Sequence, residues 1–230
     1  MTDQPIKLDY FFDPFCGWCY ASAPALKALA EAYPEALAMH PSGLFAGDGT
    51  RPMASIADFA WRNDTRISQL TGQPFTEAYR DQVLRAPDAI FDSMLATRAI
   101  VALGDIDASL EPFVLKALQT ARYVDGKDTG TAVVVATVAA EVARSDGHTL
   151  DETAFAEQLL HDGDLAARTD ARIGETQAHM QKLSLTGVPQ LLVTVANHRE
   201  VIGGGDLYGG GASLHAAIER VAAKAKVHAH

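Results

Sequence analysis

The chain has little cysteine: 2 residues in 230, Cys16 and Cys19. So few thiols exclude a small secreted scaffold held by several bridges. It also lacks any Lys/Arg run that could track a phosphate backbone. With 19 basic against 29 acidic side chains and a net charge of -10, nucleic acid is not an expected partner. No window approaches the roughly 20 apolar residues of a membrane span, so no membrane partner is expected either. At the amino terminus Lys7, Asp9 and Asp13 interrupt any apolar run. The opening residues lack the basic start and apolar stretch of a secretory signal, and a cytoplasmic location is expected. Aromatics are only 7%, yet 48% hydrophobic and 21% charged residues are ordinary for a globular enzyme with a sizeable core.

The hydrophobic pattern changes period twice along the chain. Ile6 to Phe12 is short, apolar and aromatic, and predicts a strand running through Asp13-Pro14 into an Ala/Leu-rich helix that ends near Tyr33-Pro34. A second strand is expected from Leu37 to about Phe45, closed by Gly47-Asp48-Gly49. From Met53 to about Leu183 the periodicity is helical, with breaks such as Thr71-Gly72, Gly104-Asp105 and Asp125-Gly126, and predicts six or seven helices. Val133-Val134-Val135 sits among alanines and reads as part of a buried helix. Thr149 and Glu152 have the spacing of a capping box before a helix from Asp151 to Leu160. After Gly187 the period returns to two, predicting a hairpin of Leu191 to Val195 and Glu200 to Ile202. The glycine-rich stretch Gly203 to Gly211 reads as a flexible loop before a last helix, about Ser213 to Ala225. It lacks the lysine and hydroxyl of a phosphate-binding loop. Asn63-Asp64-Thr65 is formally a glycosylation sequon, idle in a cytosolic chain.

Cys16-Gly17-Trp18-Cys19 stands where the first strand meets the first helix. At a helix start, unpaired N–H groups and the positive end of the dipole favour a thiolate, so Cys16 is the expected nucleophile. Cys19, three residues on, is placed to attack a mixed disulfide at Cys16 and release the partner. As a structural staple the pair would close a loop of about four residues, worth roughly 2 kcal/mol, between points already adjacent. A zinc site would need two more ligands. No second cysteine pair exists, and His228-Ala229-His230 has i, i+2 spacing, so no metal is expected and those histidines read as a solvated tail.

Asp13-Pro14-Phe15-Cys16-Gly17-Trp18-Cys19-Tyr20 on a strand-to-helix turn resembles the active site of the thioredoxin superfamily, and more narrowly its cytosolic DsbA-like branch. Pro24 falls where such proteins often carry a helix-kinking proline. Thr186-Gly187-Val188-Pro189 resembles the family's cis-proline loop. Arg122-Tyr123-Val124-Asp125-Gly126-Lys127-Asp128 resembles a segment of the helical insertion of DsbA-like and 2-hydroxychromene-2-carboxylate isomerase proteins.

This resemblance implies an α/β, thioredoxin-like fold interrupted by an all-α helical insertion. Residues 1–50 and 185–230 would form the discontinuous thioredoxin-like domain and residues 51–184 the insertion. It also implies that the Val188-Pro189 loop packs beside Cys16 and that the Val188 backbone pairs with an extended substrate. Phe15 and Trp18 are expected to line the contact surface, with a partly buried core position the competing reading for Trp18. One departure stands out. Many relatives bury an acid six residues before the first cysteine, as proton acceptor for the second; here that residue is Tyr10, and Asp9 points to the opposite face.

The expected activity is thiol-disulfide exchange, as oxidoreductase or disulfide isomerase, on protein or small-molecule disulfides. No resident cofactor is expected; an external thiol or disulfide partner, with glutathione as the candidate, would complete the cycle. Cytosolic glutathione keeps most such pairs reduced, which favours reductase or isomerase work over net oxidation. Two other classes remain open: a glutathione-dependent isomerase or transferase of the 2-hydroxychromene-2-carboxylate isomerase type, whose relatives generally carry serine near the Cys16 position, and a redox-inert binding module.

Overall fold

In a computed structural model describing residues 5–227, strand β1 (Ile6–Phe12) is buried on both faces from Leu8 onward. His228 and His230 lie outside the described residues. A nearly continuous apolar run suits a strand covered on both sides. It is followed by α1 (Gly17–Ala21), α2 (Ala23–Ala32) and β2 (Leu37–Pro41). β2 pairs in parallel with β1, with Tyr10 opposite Met39, so the two helices form the crossover that a parallel pair requires.

Next come β3 (Arg51–Pro52), α3 (Ala57–Thr71), α4 (Glu77–Tyr79), a π turn at Arg80–Leu84, and β4 (Ile90–Phe91). After these run α5 (Met94–Ile106), α6 (Leu110–Tyr123), α7 (Ala132–Ser145), α8 (Glu152–His161) and α9 (Gly163–Lys182). The chain ends in β5 (Gln190–Val195), β6 (His198–Ile202), α10 (Gly205–Tyr208) and α11 (Gly210–Val227). The four long strands form one sheet in the order β2-β1-β5-β6, with β5 antiparallel to both neighbours. This is a thioredoxin-like fold interrupted by a helical insertion. The inserted stretch also contains a small ribbon in which Arg51 of β3 pairs with Phe91 of β4.

Packing ties the insertion to the sheet. Arg172 of α9 donates to both carboxylate oxygens of Glu111 on α6 and to the Met39 carbonyl of β2, each at 2.6 Å. On α11, Leu214, Ala217, Ile218 and Val221 are buried at i, i+3, i+4 and i+7. That stripe closes the core, and each large member contributes roughly 1.5–3 kcal/mol. Among the described residues no helix is long and apolar enough to cross a membrane.

The local structure departs from the sequence pattern in four places. The first helix is broken at Ser22, where the Ser22 hydroxyl donates to the Cys19 carbonyl and Pro24 has no N–H to continue the ladder. β2 stops at Pro41 because Gly43 turns away with φ +63. The cap of α8 is Asp151, which accepts from the Ala154 N–H at 2.8 Å; Glu152 instead accepts from the Thr137 hydroxyl, and Thr149 takes no part. The glycine-rich stretch is folded into α10 and the start of α11, held by buried Leu207 and Leu214.

Candidate active site

The turn that presents the cysteines is built around Asp13. Its fully buried carboxylate accepts from the Phe15 N–H at 2.9 Å, the Phe45 N–H at 3.1 Å and the Ser93 hydroxyl at 3.1 Å. Its backbone carbonyl accepts from the Cys16 N–H at 3.1 Å. Burial pushes the Asp13 carboxyl up to about 6, with those hydrogen bonds opposing the shift. From the insertion, the Tyr123 hydroxyl donates to the Phe15 carbonyl at 2.8 Å. Asp13 and Tyr123 therefore fix the residue before the first thiol, and Phe45 and Ser93 hold Asp13 in turn.

Cys16 is the N-cap of α1 and Cys19 lies on its first turn; both are free thiols. The Cys16 sulfur donates to the Val188 carbonyl at 3.6 Å. The Val188–Pro189 peptide bond is cis, Pro189 is buried and Val188 half-buried. Cys19 is sealed beneath, and burial, with the Cys16 sulfur beside it, pushes its thiol well above the usual range. The two sulfurs thus differ in placement: Cys16 lines the groove, and Cys19 is enclosed beneath it.

A groove of about 160 Å³ opens at Cys16, walled by Phe15, Trp18, Phe45, Phe59 and Phe91, with Arg51 and Asp64 also lining it. Trp18 is half-buried and packs on Tyr208 of α10, ring centroids 4.9 Å apart. It joins both readings left open for it, being core on one side and groove wall on the other. Larger cavities, of about 540 and 480 Å³, lie beside Tyr33 and His215 and beside His40 and Arg172, and neither contains a thiol.

Behind the groove lies a buried polar group from the insertion. Arg122, 1% exposed, stacks its guanidinium 3.9 Å from the Phe15 ring centroid, and its Nη1 is 3.7 Å from Asp128. Among the described residues its Nε and Nη1 have no hydrogen-bond partner. Asp64 of α3 is 5% exposed and accepts at Oδ2 from the Tyr79 hydroxyl at 2.9 Å. Burial pushes its carboxyl up to about 6, with Tyr79 and the Arg122 charge opposing.

Tyr10 occupies the position where relatives place an acid, and it is fully buried. Its hydroxyl lies 2.6 Å from the Ser22 hydroxyl, which in turn donates to the Cys19 carbonyl. Burial, and then the Cys19 sulfur, push its phenol well above 10, so Tyr10 is not a base. Asp9 faces the other way, 2.8 Å from His40 Nε2 and 3.0 Å from Lys7 Nζ.

Phe15, Cys16 and Trp18 therefore meet in one groove, Val188 joins through its carbonyl, Pro189 supports it and Cys19 lies below. Sequence reasoning did not single out Asp64 or Tyr79 for the site, and it met Asp13, Arg122 and Tyr123 only within family-like segments. Asp64 and Tyr79 carry no local signal, being single polar residues in helical stretches. Among the described residues no group of three or more His, Cys, Asp or Glu side chains is arranged to hold a metal ion.

Residues 7–209 match the family described as the DSBA-like thioredoxin domain, and the chain belongs to that family. It is similar to the cytosolic disulfide reductase DsbM from Pseudomonas aeruginosa, with 29% identity over 93% of this chain and 97% of that one and a TM-score of 0.79. A structure of the same reductase with GSH gives 29% identity, 93% and 98% coverage and a TM-score of 0.76. A candidate protein disulfide isomerase from Nitrosomonas europaea shares the fold at 21% identity, covering 99% of this chain and 100% of that one with a TM-score of 0.69. No curated protein sequence matches. The chain is thus a DsbA-like thiol-disulfide oxidoreductase.

Proposed function

We propose that this oxidoreductase works in the cytoplasm in the reducing direction, cleaving protein or small-molecule disulfides through Cys16 and Cys19. The observation that carries the assignment is the asymmetry of the two sulfurs: Cys16 at the groove, bonded to Val188, and Cys19 enclosed with a raised thiol. Cys16, as thiolate, attacks one sulfur of the substrate disulfide, and the other leaves as a thiol. Cys19 then loses its proton and attacks the Cys16 sulfur. That releases the second substrate thiol and leaves a Cys16–Cys19 disulfide. With no third cysteine in the chain, two external thiols of the glutathione class reduce that disulfide and leave as their own disulfide.

Val188 offers its backbone to an extended substrate segment, a one-strand addition beside the attacking sulfur. The insertion, residues 51–184, supplies the apolar walls at Phe59 and Phe91 and so sets substrate choice. Similarity to the reductase DsbM supports the reducing direction and the cytoplasmic setting, and its structure with GSH supports glutathione as the external thiol. An isomerase of the 2-hydroxychromene-2-carboxylate type is disfavoured by the two free thiols.

A Cys19→Ala chain should accumulate a mixed disulfide through Cys16 with oxidised glutathione or a reporter protein, read by intact mass. Absence of any trapped species, with insulin reduction also at background, would sink the proposal. Equilibration against glutathione buffers then reads the direction: a midpoint near that of thioredoxin, about -270 mV, marks a reductase, and one near -120 mV an oxidant.

A further inference from the structure

The groove wall holds one carboxylic acid, Asp64, with no part in the attack and release steps at Cys16 and Cys19. Asp64 comes from α3, in the insertion, yet it reaches the active-site loop: a methyl group placed on Gly17 would lie 2.5 Å from Asp64 Oδ1. Cys16, Gly17 and Asp64 line the same groove, and among its described lining residues Asp64 is the sole carboxylic acid. Asp13 is no substitute, since its two oxygens are taken up by three donors and it does not line the groove.

We propose that Asp64 is the general acid of the first exchange step, protonating the sulfur that leaves when Cys16 attacks a substrate disulfide. This rests on the assignment of Cys16 as nucleophile. In a disulfide exchange the attacking, central and leaving sulfurs are close to collinear. A disulfide bound in the groove and attacked by Cys16 therefore carries its leaving sulfur away from Cys16 and along the wall that Asp64 shares. The Cys16–sulfur bond forms and the substrate sulfur–sulfur bond breaks, with its electron pair leaving on the distal sulfur. That sulfur takes the Asp64 proton, so Cys16 is oxidised to the mixed disulfide, the distal sulfur is reduced to a thiol and Asp64 becomes a carboxylate. Water at the groove mouth restores the proton.

The surroundings suit this role. Tyr79 of α4 donates to Oδ2 and orients the carboxyl, leaving Oδ1 toward Gly17. Arg122 and Tyr123 of α6 face the group from behind, Asn63 adjoins it on its own helix, and Arg51 and Cys16 share the groove. Burial raises the carboxyl to about 6, which keeps part of the population protonated near neutrality.

The test compares two disulfides in the Cys19→Ala background, following release of the first thiol. Oxidised glutathione expels an alkyl thiolate that needs a proton, whereas an aryl disulfide of nitrothiobenzoate expels a stable thiolate that needs none. Asp64→Asn should slow the glutathione reaction by at least about tenfold and change the aryl reaction by less than about twofold. A second measurement needs no substitution at Asp64: the ratio of glutathione to aryl rate should fall as pH rises through about 6, because the fraction of Cys16 thiolate cancels in the ratio. Equal slowing of both reactions, no slowing of either, or a ratio flat across pH overturns the proposal. Failure of the Asp64-intact chain to react with the aryl disulfide overturns instead the assignment of Cys16.

Discussion

The sulfur of Cys16 lies 3.6 Å from the carbonyl oxygen of Val188, although 172 residues separate them in the chain. The contact exists because β1 and β5 are paired neighbours, so the turn after one strand meets the loop before the other. On the proposed function, this contact would deliver a substrate paired with the Val188 backbone to the Cys16 sulfur. Residues of the insertion close the same site: Tyr123 holds the Phe15 carbonyl and Asp64 touches Gly17.

Gly17 has no room for a side chain, since a methyl group would meet Asp64 Oδ1 at 2.5 Å and Ile67 Cδ1 at 3.1 Å. Gly17→Ala should destabilise the fold by about 1–3 kcal/mol through overpacking. Urea unfolding reads it, and a midpoint equal to that of the parent chain would mean α3 does not press on the loop.

Arg122 is buried against Phe15, and its positive charge opposes the rise in the Asp64 proton affinity. Arg122→Ala removes the stacking on Phe15 and empties a large buried volume, an expected loss of about 2–5 kcal/mol. Arg122→Lys should recover only part of it, because an ammonium lacks the planar face. Equal stability of the lysine variant and the parent chain in urea would contradict the stacking role.

The sign of one pH effect follows from Asp64. Its folded value, about 6, is above the ordinary 3.8, so the folded chain binds this proton more tightly than the unfolded chain does. The favourable contribution is complete below the unfolded value and is lost as pH rises through about 6. A displacement of this size corresponds to roughly 3 kcal/mol. The stability of the parent chain relative to Asp64→Asn should therefore improve as pH is lowered from 7 toward 4. Paired urea titrations measure the difference, which cancels the other ionising groups; a constant or opposite difference would remove Asp64 from the account.

Tyr10→Phe deletes one buried hydrogen bond, to Ser22, and should lower stability by about 1 kcal/mol. With the phenol held well above 10, the exchange rate and its pH profile should not move. Stopped-flow rates across pH check this, and a shifted profile would restore a proton-transfer role to the position.

Much of the architecture was legible because period and punctuation are local properties. The apolar run of β1, the helical block and the final hairpin all follow from which residues recur at which spacing. Legibility failed where two local solutions compete. At α8 both Thr149 and Asp151 can cap, and Asp151, with its backbone extended, places its carboxylate to take the Ala154 N–H at 2.8 Å. At Gly205 to Gly211 intrinsic propensity argues against helix, and burial of Leu207 and Leu214 overrides it.

The sequence by itself determined the chemistry: two thiols three residues apart at a strand-to-helix turn, with no third thiol to relay electrons. Local spacing suffices for that, since both sulfurs sit on one short stretch of backbone. Only the tertiary structure decided which groups govern those thiols. Val188, Asp64, Tyr79, Arg122 and Tyr123 come from distant elements and converge on Phe15, Cys16 and Gly17. Proton affinities of about 6 in Asp13 and Asp64 arise from burial, which depends on the packed chain around each carboxyl and not on its neighbours in sequence.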